Sequence, residues 1–280
     1  MSIITISRGS YSRGKEVAEA VAGELGYDCI SREILVEASD QFNIPEIKLL
    51  KALHDAPTVL ERLNNGQTRY EAYFKSAFLS HMQRGNIVYH GLAGHFFLQD
   101  ISHVLKVRII ADLDSRVVEE MRRENSSRER ALLTLKKDDE ERRKWSLYLH
   151  GRDPWDSRLY DMVLCVGSLT VDDVVEMLVK TIQKKQFQET ERSAVALRNL
   201  VLQANIEAQI SKADSRATVS LKKPQTVLLT ALDGRLKHDY SAREDFAATV
   251  KEQCAVEEVM FSDPVCPYKG HVNNFYNLDV

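Results

Sequence analysis

The chain opens on Ile3-Ile4-Thr5-Ile6, a run of apolar and β-branched positions that predicts a strand over residues 2–7. Three-to-four spacing follows at once in Val17, Ala18, Val21, Ala22 and Leu25. It predicts a helix from Gly14 to Leu25 that ends at Gly26 as its C-cap. Tyr27-Asp28-Cys29-Ile30 reads as a short extended piece, and Ser31 as the cap of a helix carrying Ile34, Leu35 and Val36. Helical spacing covers residues 45–82, first in Ile47, Leu49, Leu50, Leu53, Leu60 and Leu63, then in Tyr70, Tyr73, Phe74, Ala77, Phe78 and Met82. Pro45, Pro57 and Asn64-Asn65-Gly66 punctuate it. Apolar runs at 87–90, 104–111 and 160–166 predict three further strands, around a charged helical stretch at 115–150 broken near 124–127. Thr170 caps a helix from Val171 to Ile182. Strands alternating with helices over the first 185 residues call for an α/β fold: a parallel sheet covered on both faces, with ligands outside the strands' carboxyl ends.

Beyond that point the pattern changes. Residues 184–192 are polar and charged, and predict a linker. A helix (194–210), two strands (217–221, 226–232), a helix (241–254) and a strand (256–261) then suggest a small α+β domain over 193–263, followed by an unpatterned tail at 264–280. Composition adds bounds. At 280 residues, 44% hydrophobic and 28% charged, the chain has ample material for a core. A formal net charge of −3 argues against a generic nucleic-acid binder. Cys29, Cys165, Cys254 and Cys266 lack metal-ligand spacing and read as reduced thiols. With neither a signal-peptide pattern nor a membrane span in sight, the expected location is the cytoplasm.

The loop between the first strand and helix carries the candidate chemistry. Gly9-Ser10-Tyr11-Ser12-Arg13-Gly14-Lys15-Glu16 has the form G-x-x-x-x-G-K. In such a loop the backbone N–H groups and the helix N-terminus point at a phosphate, and the lysine reaches the outer phosphates. Lys15 is then the contact to the β- and γ-phosphates of ATP, Ser12 and Gly14 are backbone donors, and Arg8 reaches a phosphate from the strand end. Glu16 stands where Ser or Thr would hold Mg²⁺, so the ion would rest mostly on nucleotide oxygens and waters. The plainer alternative is a strand-to-helix turn with a solvated lysine. Arg116, Arg122, Arg123, Arg128, Arg130, Arg142 and Arg143 suit bidentate phosphate binding by a mobile segment, or else a solvated face balanced by neighbouring glutamates. No catalytic triad or zinc pattern is present, and His90, Trp145, Trp155 and the Tyr70/Tyr73/Phe74 stripe read as core.

Four stretches together resemble the cytidylate kinase-like family of P-loop nucleoside monophosphate kinases, over most of residues 1–183. They are Ile6-Ser7-Arg8 with Ser12-Arg13-Gly14-Lys15-Glu16-Val17-Ala18; Ile30-Ser31-Arg32-Glu33-Ile34-Leu35; Arg116 with Arg122-Arg123-Glu124; and Asp139-Glu140-Glu141-Arg142 with Gly151, Trp155, Tyr160 and Asp161. The resemblance implies a P-loop NTPase-type sheet, ATP and Mg²⁺ as cofactors, and a (d)CMP-type acceptor. Residues implied in ATP binding are Arg8, Gly9, Ser12, Arg13, Gly14, Lys15 and Glu16, with Arg123 and Arg142 joining Lys15 in catalysis. Arg32, Arg69 and Asp161 are candidates for holding the acceptor. The chain departs from the family pattern at Tyr11 and Arg13, which replace glycines, at Leu92, which replaces an arginine, and at Cys165. These departures support a second reading, a catalytically degenerate nucleotide sensor or scaffold. The C-terminal part more weakly resembles the BON module, which implies a lipid surface or protein partner for that domain.

Overall fold

The computed structural model describes residues 1–49, 66–91, 94–214, 217–223, 225–232, 234–254 and 256–262. Its first compact unit spans Met1–Val201 and its second begins at Leu202. Composition placed a linker at 184–192. There Glu189 is bonded back to the chain start, its N–H donating to the Met1 carbonyl at 3.2 Å.

In the first unit, β1 (Ile3–Arg8), β2 (Asp28–Ile30), β3 (Ile87–His90), β4 (Val104–Ala111) and β5 (Met162–Val166) form one sheet in the order β2-β3-β1-β4-β5. All pairs are parallel, with Ile6 opposite His90 on one side of β1 and Val107 on the other. Alternation along the strands decides the two faces. Ile4, Ile6, Val88, Leu105, Val107 and Ile109 turn to one face. There α1 (Gly14–Leu25) and α7 (Val171–Ile182) cover them with Val17, Val21, Val174 and Leu178. On the other face Tyr89 packs edge-on against Phe78 of α3 (Gly66–Met82), and Phe78 against Phe97 of α4 (Gly94–Phe97). Both faces being covered explains why the strands read as apolar runs.

The charged stretch after β4 is two helices. Asp112 caps α5 (Leu113–Glu124), Asn125 ends it in the left-handed region at φ 47°, and Ser127 caps α6 (Arg128–His150). Thr170 and Asp173 form a reciprocal capping box at the start of α7. Ser31 does not cap the second helix. Its N–H donates to Glu33 Oε2 at 2.7 Å, and Arg32 precedes α2 (Glu33–Phe42) without a side-chain cap. Within 45–82, residues 46–49 and α3 are helical, and the expectations at Leu50, Leu53, Pro57, Leu60 and Leu63 fall outside the described residues, as does Leu92.

The second unit contains β6 (Thr218–Lys223), β7 (Thr226–Thr230), α9 (Arg235–His238), α10 (Tyr240–Cys254) and β8 (Glu258–Phe261), after the end of α8 (Glu191–Ala213). β6 pairs antiparallel and β8 parallel with β7, and Ile206, Ile210, Val219, Val227, Leu229 and Val250 form its own core. Among the described residues no helix is long and apolar enough to cross a membrane.

Among the buried histidines of the first unit are His90, whose Nδ1 has no partner among the described residues, and His95. Burial pushes His90 down to about 4 and His95 to about 3. The unfolded chain takes up protons below about 6.5 while the native protein resists until those lower values, so stability falls as pH drops through this window. The unfolding free energy is expected to fall by ~2 kcal/mol for each of the two between pH 7 and pH 5. Denaturant titrations at both pH values check it: His90→Leu shrinks the fall by about one histidine's share, and an unchanged fall contradicts the assignment.

Candidate active site

The loop after β1 owes its shape to one close approach. A Cβ on Gly14 would lie 2.7 Å from Arg8 Cβ and 3.0 Å from Arg8 Cδ, so only glycine lets the arginine stem cross the first turn of α1. Ser12 is buried and holds the bend, with its hydroxyl donating to the Gly9 carbonyl at 3.0 Å and its N–H to the same oxygen at 3.4 Å. The N–H groups of Tyr11 and of Arg13 through Glu16 have no hydrogen-bond acceptor among the described residues. The loop is therefore open to an anion.

Tyr11 and Arg13, the two non-glycine replacements, both take left-handed backbone, at φ 55° and 60°. This conformation costs side-chain-bearing residues about 1–2 kcal/mol each. Each is held from outside the backbone. Tyr11 packs against the buried trio Val117, Ala131 and Leu135 of α5 and α6, and burial together with its hydrogen bond to Glu120 pushes its phenol up to about 12. Arg13 makes a two-pronged pair with Glu16 at 2.8 and 2.6 Å, which holds the Glu16 carboxyl below its ordinary range.

Arg116 ties this loop to both helices above it. Its Nε donates to the Ser10 carbonyl at 2.7 Å, and its two terminal nitrogens donate to Asp139 at 2.9 Å each. Ser10 also donates its hydroxyl to Asp138 at 3.4 Å. With Asp139 engaged, two half-buried guanidiniums stand nearby without a carboxylate bonded to them among the described residues: Arg8, whose Nε is buried and unpartnered, and Arg142. Burial, and for Arg8 the proximity of Arg142, lowers the pKa of both. Both line a narrow cleft with Ser7, Gly9, Arg108 and Trp155. Tyr160 is a hub beside it: its hydroxyl donates to the Pro154 carbonyl at 2.9 Å, lies 3.3 Å from Ser7 Oγ and 3.2 Å from His95 Nε2, and accepts from Arg108 at 3.3 Å.

A second, open cleft lies along the other part of the loop, lined by Tyr11, Arg13, Lys15, Glu16, Arg122 and Thr170 among others. Lys15 is here, 64% exposed, with its ammonium 3.5 Å from Glu19 one turn along α1. Arg123 is 69% exposed and lies over the Tyr11 ring at 5.8 Å.

The structure thus brings together Arg8, Gly9, Ser12, Arg13, Gly14, Lys15, Glu16 and Arg142 around one loop, with Arg123 at its margin. It does not bring Arg32 or Asp161 there. Arg32 is exposed and bonded to Glu46 at 2.6 Å. Asp161 accepts from the Lys106 backbone N–H at 2.8 Å and fixes β5 against β4. Arg69, on α3, faces the Tyr70 ring at 5.7 Å and lines neither cleft. Trp155, expected in the core, is exposed at the cleft, whereas Trp145 is buried. Sequence reasoning missed Arg108, and it had Tyr160 only as part of the family signature, with no role at the site. The signal for Arg108 was available, since Lys106 and Arg108 put two cations on one face of an otherwise apolar strand.

Sheet order, glycine-framed loop and cationic cleft define a P-loop kinase fold. The chain belongs to the cytidylate kinase-like family, whose model matches residues 3–168. It is similar to a cytidylate kinase of Archaeoglobus fulgidus, with 27% identity over 188 residues that cover 66% of this chain and 97% of the relative. It is also similar in structure to an uncharacterized protein from Eubacterium ventriosum, with a TM-score of 0.50 and 22% identity over 66% of this chain and 100% of the other.

The tight contact at Gly14 gives a paired expectation. Gly14→Ala costs about 1–3 kcal/mol through overpacking against Arg8. Gly23→Ala, on the same helix with nothing within 4 Å of the new methyl, gains roughly 0.5–1 kcal/mol. Urea unfolding of both variants tests the pair, and equal effects at the two positions would remove the steric account of the loop.

Proposed function

We propose that the protein is an ATP-dependent nucleoside monophosphate kinase that transfers the γ-phosphoryl group to a (d)CMP-type acceptor. The observation that carries this reading is the pair Arg8 and Arg142, half-buried cations without a bonded carboxylate among the described residues, beside a loop in which the N–H groups of Tyr11 and of Arg13 through Glu16 have no acceptor there. Burying a cation is unfavourable unless an anion is supplied. A phosphate seated in this cleft supplies it, in the bidentate geometry that guanidinium favours.

Two clefts that share one loop, the first lined by Arg8 and Gly9 and the second by Tyr11, Arg13 and Lys15, suit two nucleotides meeting at a shared phosphate. Phosphoryl transfer asks the protein mainly for alignment and for neutralisation of the charge that develops on the moving group. Loop amides and Lys15 would hold the donor's β- and γ-phosphates, with Lys15 leaving Glu19 to do so. Arg8, Arg142 and Arg108 would hold the acceptor phosphate, and Tyr160 would keep Arg108 in place. For Mg²⁺, Glu16 is engaged by Arg13, and no group of three His, Cys, Asp or Glu among the described residues is arranged around a cation. This donor set fits an ion carried in on nucleotide oxygens and waters. When bound, the ion supplies neutralisation of the β- and γ-oxygens.

A second reading, a nucleotide sensor without turnover, draws on one observation: Lys15 and Arg123 are engaged with Glu19 and Tyr11 on exposed surfaces. Under that reading the C-terminal unit delivers the output, to a lipid surface or a protein, as its BON-like character would imply.

Purified protein is expected to form ADP from ATP in the presence of CMP, dCMP or UMP. Arg142→Ala and Lys15→Ala each lower kcat/KM on the order of 10²–10³-fold. Nucleotide binding by calorimetry without transfer to any nucleoside monophosphate would select the sensor. Absence of both binding and transfer would remove the two readings together.

A further inference from the structure

Trp155 is 51% exposed, whereas Trp145 in the same cleft wall is 2% exposed. Leaving half of the largest apolar side chain in water is unfavourable, and here the indole is also held rigid. Its backbone N–H donates to Asp153 Oδ1 at 3.0 Å, and the other oxygen of that carboxylate accepts from Arg143 Nε at 2.8 Å. The Arg143 guanidinium in turn lies 4.7 Å from the indole centroid. One carboxylate therefore fixes both the segment that carries the ring and the cation stacked on it, and this fixed Arg143 holds the Asp153 carboxyl below its ordinary range.

We propose that Trp155 is the plate on which the aromatic base of the acceptor stacks, so that the cleft selects nucleoside monophosphates over phosphates that carry no ring. This rests on the phosphoryl-transfer reading and states which wall meets which part of the acceptor. An exposed indole alone would suit any apolar partner. The same cleft, however, presents Arg8, Arg108 and Arg142 without a bonded carboxylate among the described residues, and only a ligand that is anionic at one end and flat at the other satisfies both walls. A ring already immobilised by Asp153 and Arg143 loses little conformational freedom when a base lands on it, which favours affinity.

Binding of CMP and of ribose 5-phosphate to the full chain, by calorimetry and tryptophan fluorescence, tests the assignment. The wild type is expected to bind CMP at least about tenfold more tightly than ribose 5-phosphate, in line with what base–aromatic stacking supplies. Trp155→Ala erases that advantage and leaves ribose 5-phosphate affinity as it was, while Trp155→Phe keeps CMP affinity within about threefold. If Trp155→Ala binds CMP as the wild type does, the plate is overturned while the arginine site stands. If the wild type binds neither probe and transfers no phosphate, the kinase reading fails first and takes the plate with it.

Discussion

The site depends on what Arg116 does with Asp139. The guanidinium occupies both oxygens of that carboxylate and still reaches the Ser10 carbonyl. A single side chain on α5 thereby joins the loop after β1 to α6. The tie also removes the most available counter-charge from Arg8 and Arg142. If Asp139 were free to turn to them, the cleft would neutralise itself, and a phosphate would have to displace an internal ion pair before binding. The partially buried Arg116–Asp139 pair is worth more for this sorting of charges than for any net stability, since pairs of this kind roughly balance attraction against desolvation.

Much of the fold was legible because its elements carry strong periodicity. The Gly14–Leu25 helix and its Gly26 cap, and the Thr170-capped Val171–Ile182 helix, have the limits their apolar spacing gave. The charged stretch after β4 broke where Asn125 and Ser127 supply a left-handed end and a new cap. Ser31 failed as a cap because the Glu33 side chain binds its backbone instead. At the site, glycine framing and chain order identified the loop, and Arg142 emerged through its family spacing. What spacing cannot convey is side-chain direction. Arg32 and Asp161 are satisfied by Glu46 and Lys106, partners far away in the chain. Trp155 is exposed because the turn at Asp153 presents it, and composition alone reads a tryptophan as core.

The C-terminal unit has a core of its own. Its elements follow the αββαβ order its sequence pattern suggested except for one added short helix, α9, and it packs around its own apolar cluster. Its buried charges are structural: Asp214 accepts from the Gly234 N–H at 2.8 Å, and Arg243 lies over the Phe261 ring at 5.1 Å. The family match ends at residue 168, before this unit begins at Leu202.

Tyr11 has a consequence for how the molecule moves. Its backbone sits in a well that an L-residue occupies only when something else compensates, and the compensation is the seat of its ring among Val117, Ala131 and Leu135. Tilting α5 and α6 away would unseat the phenol and let the chain at that point relax toward right-handed geometry. The curvature of the anion loop and the posture of the paired helices are therefore linked through this ring, and a shift of the helices removes what holds the loop in its left-handed bend.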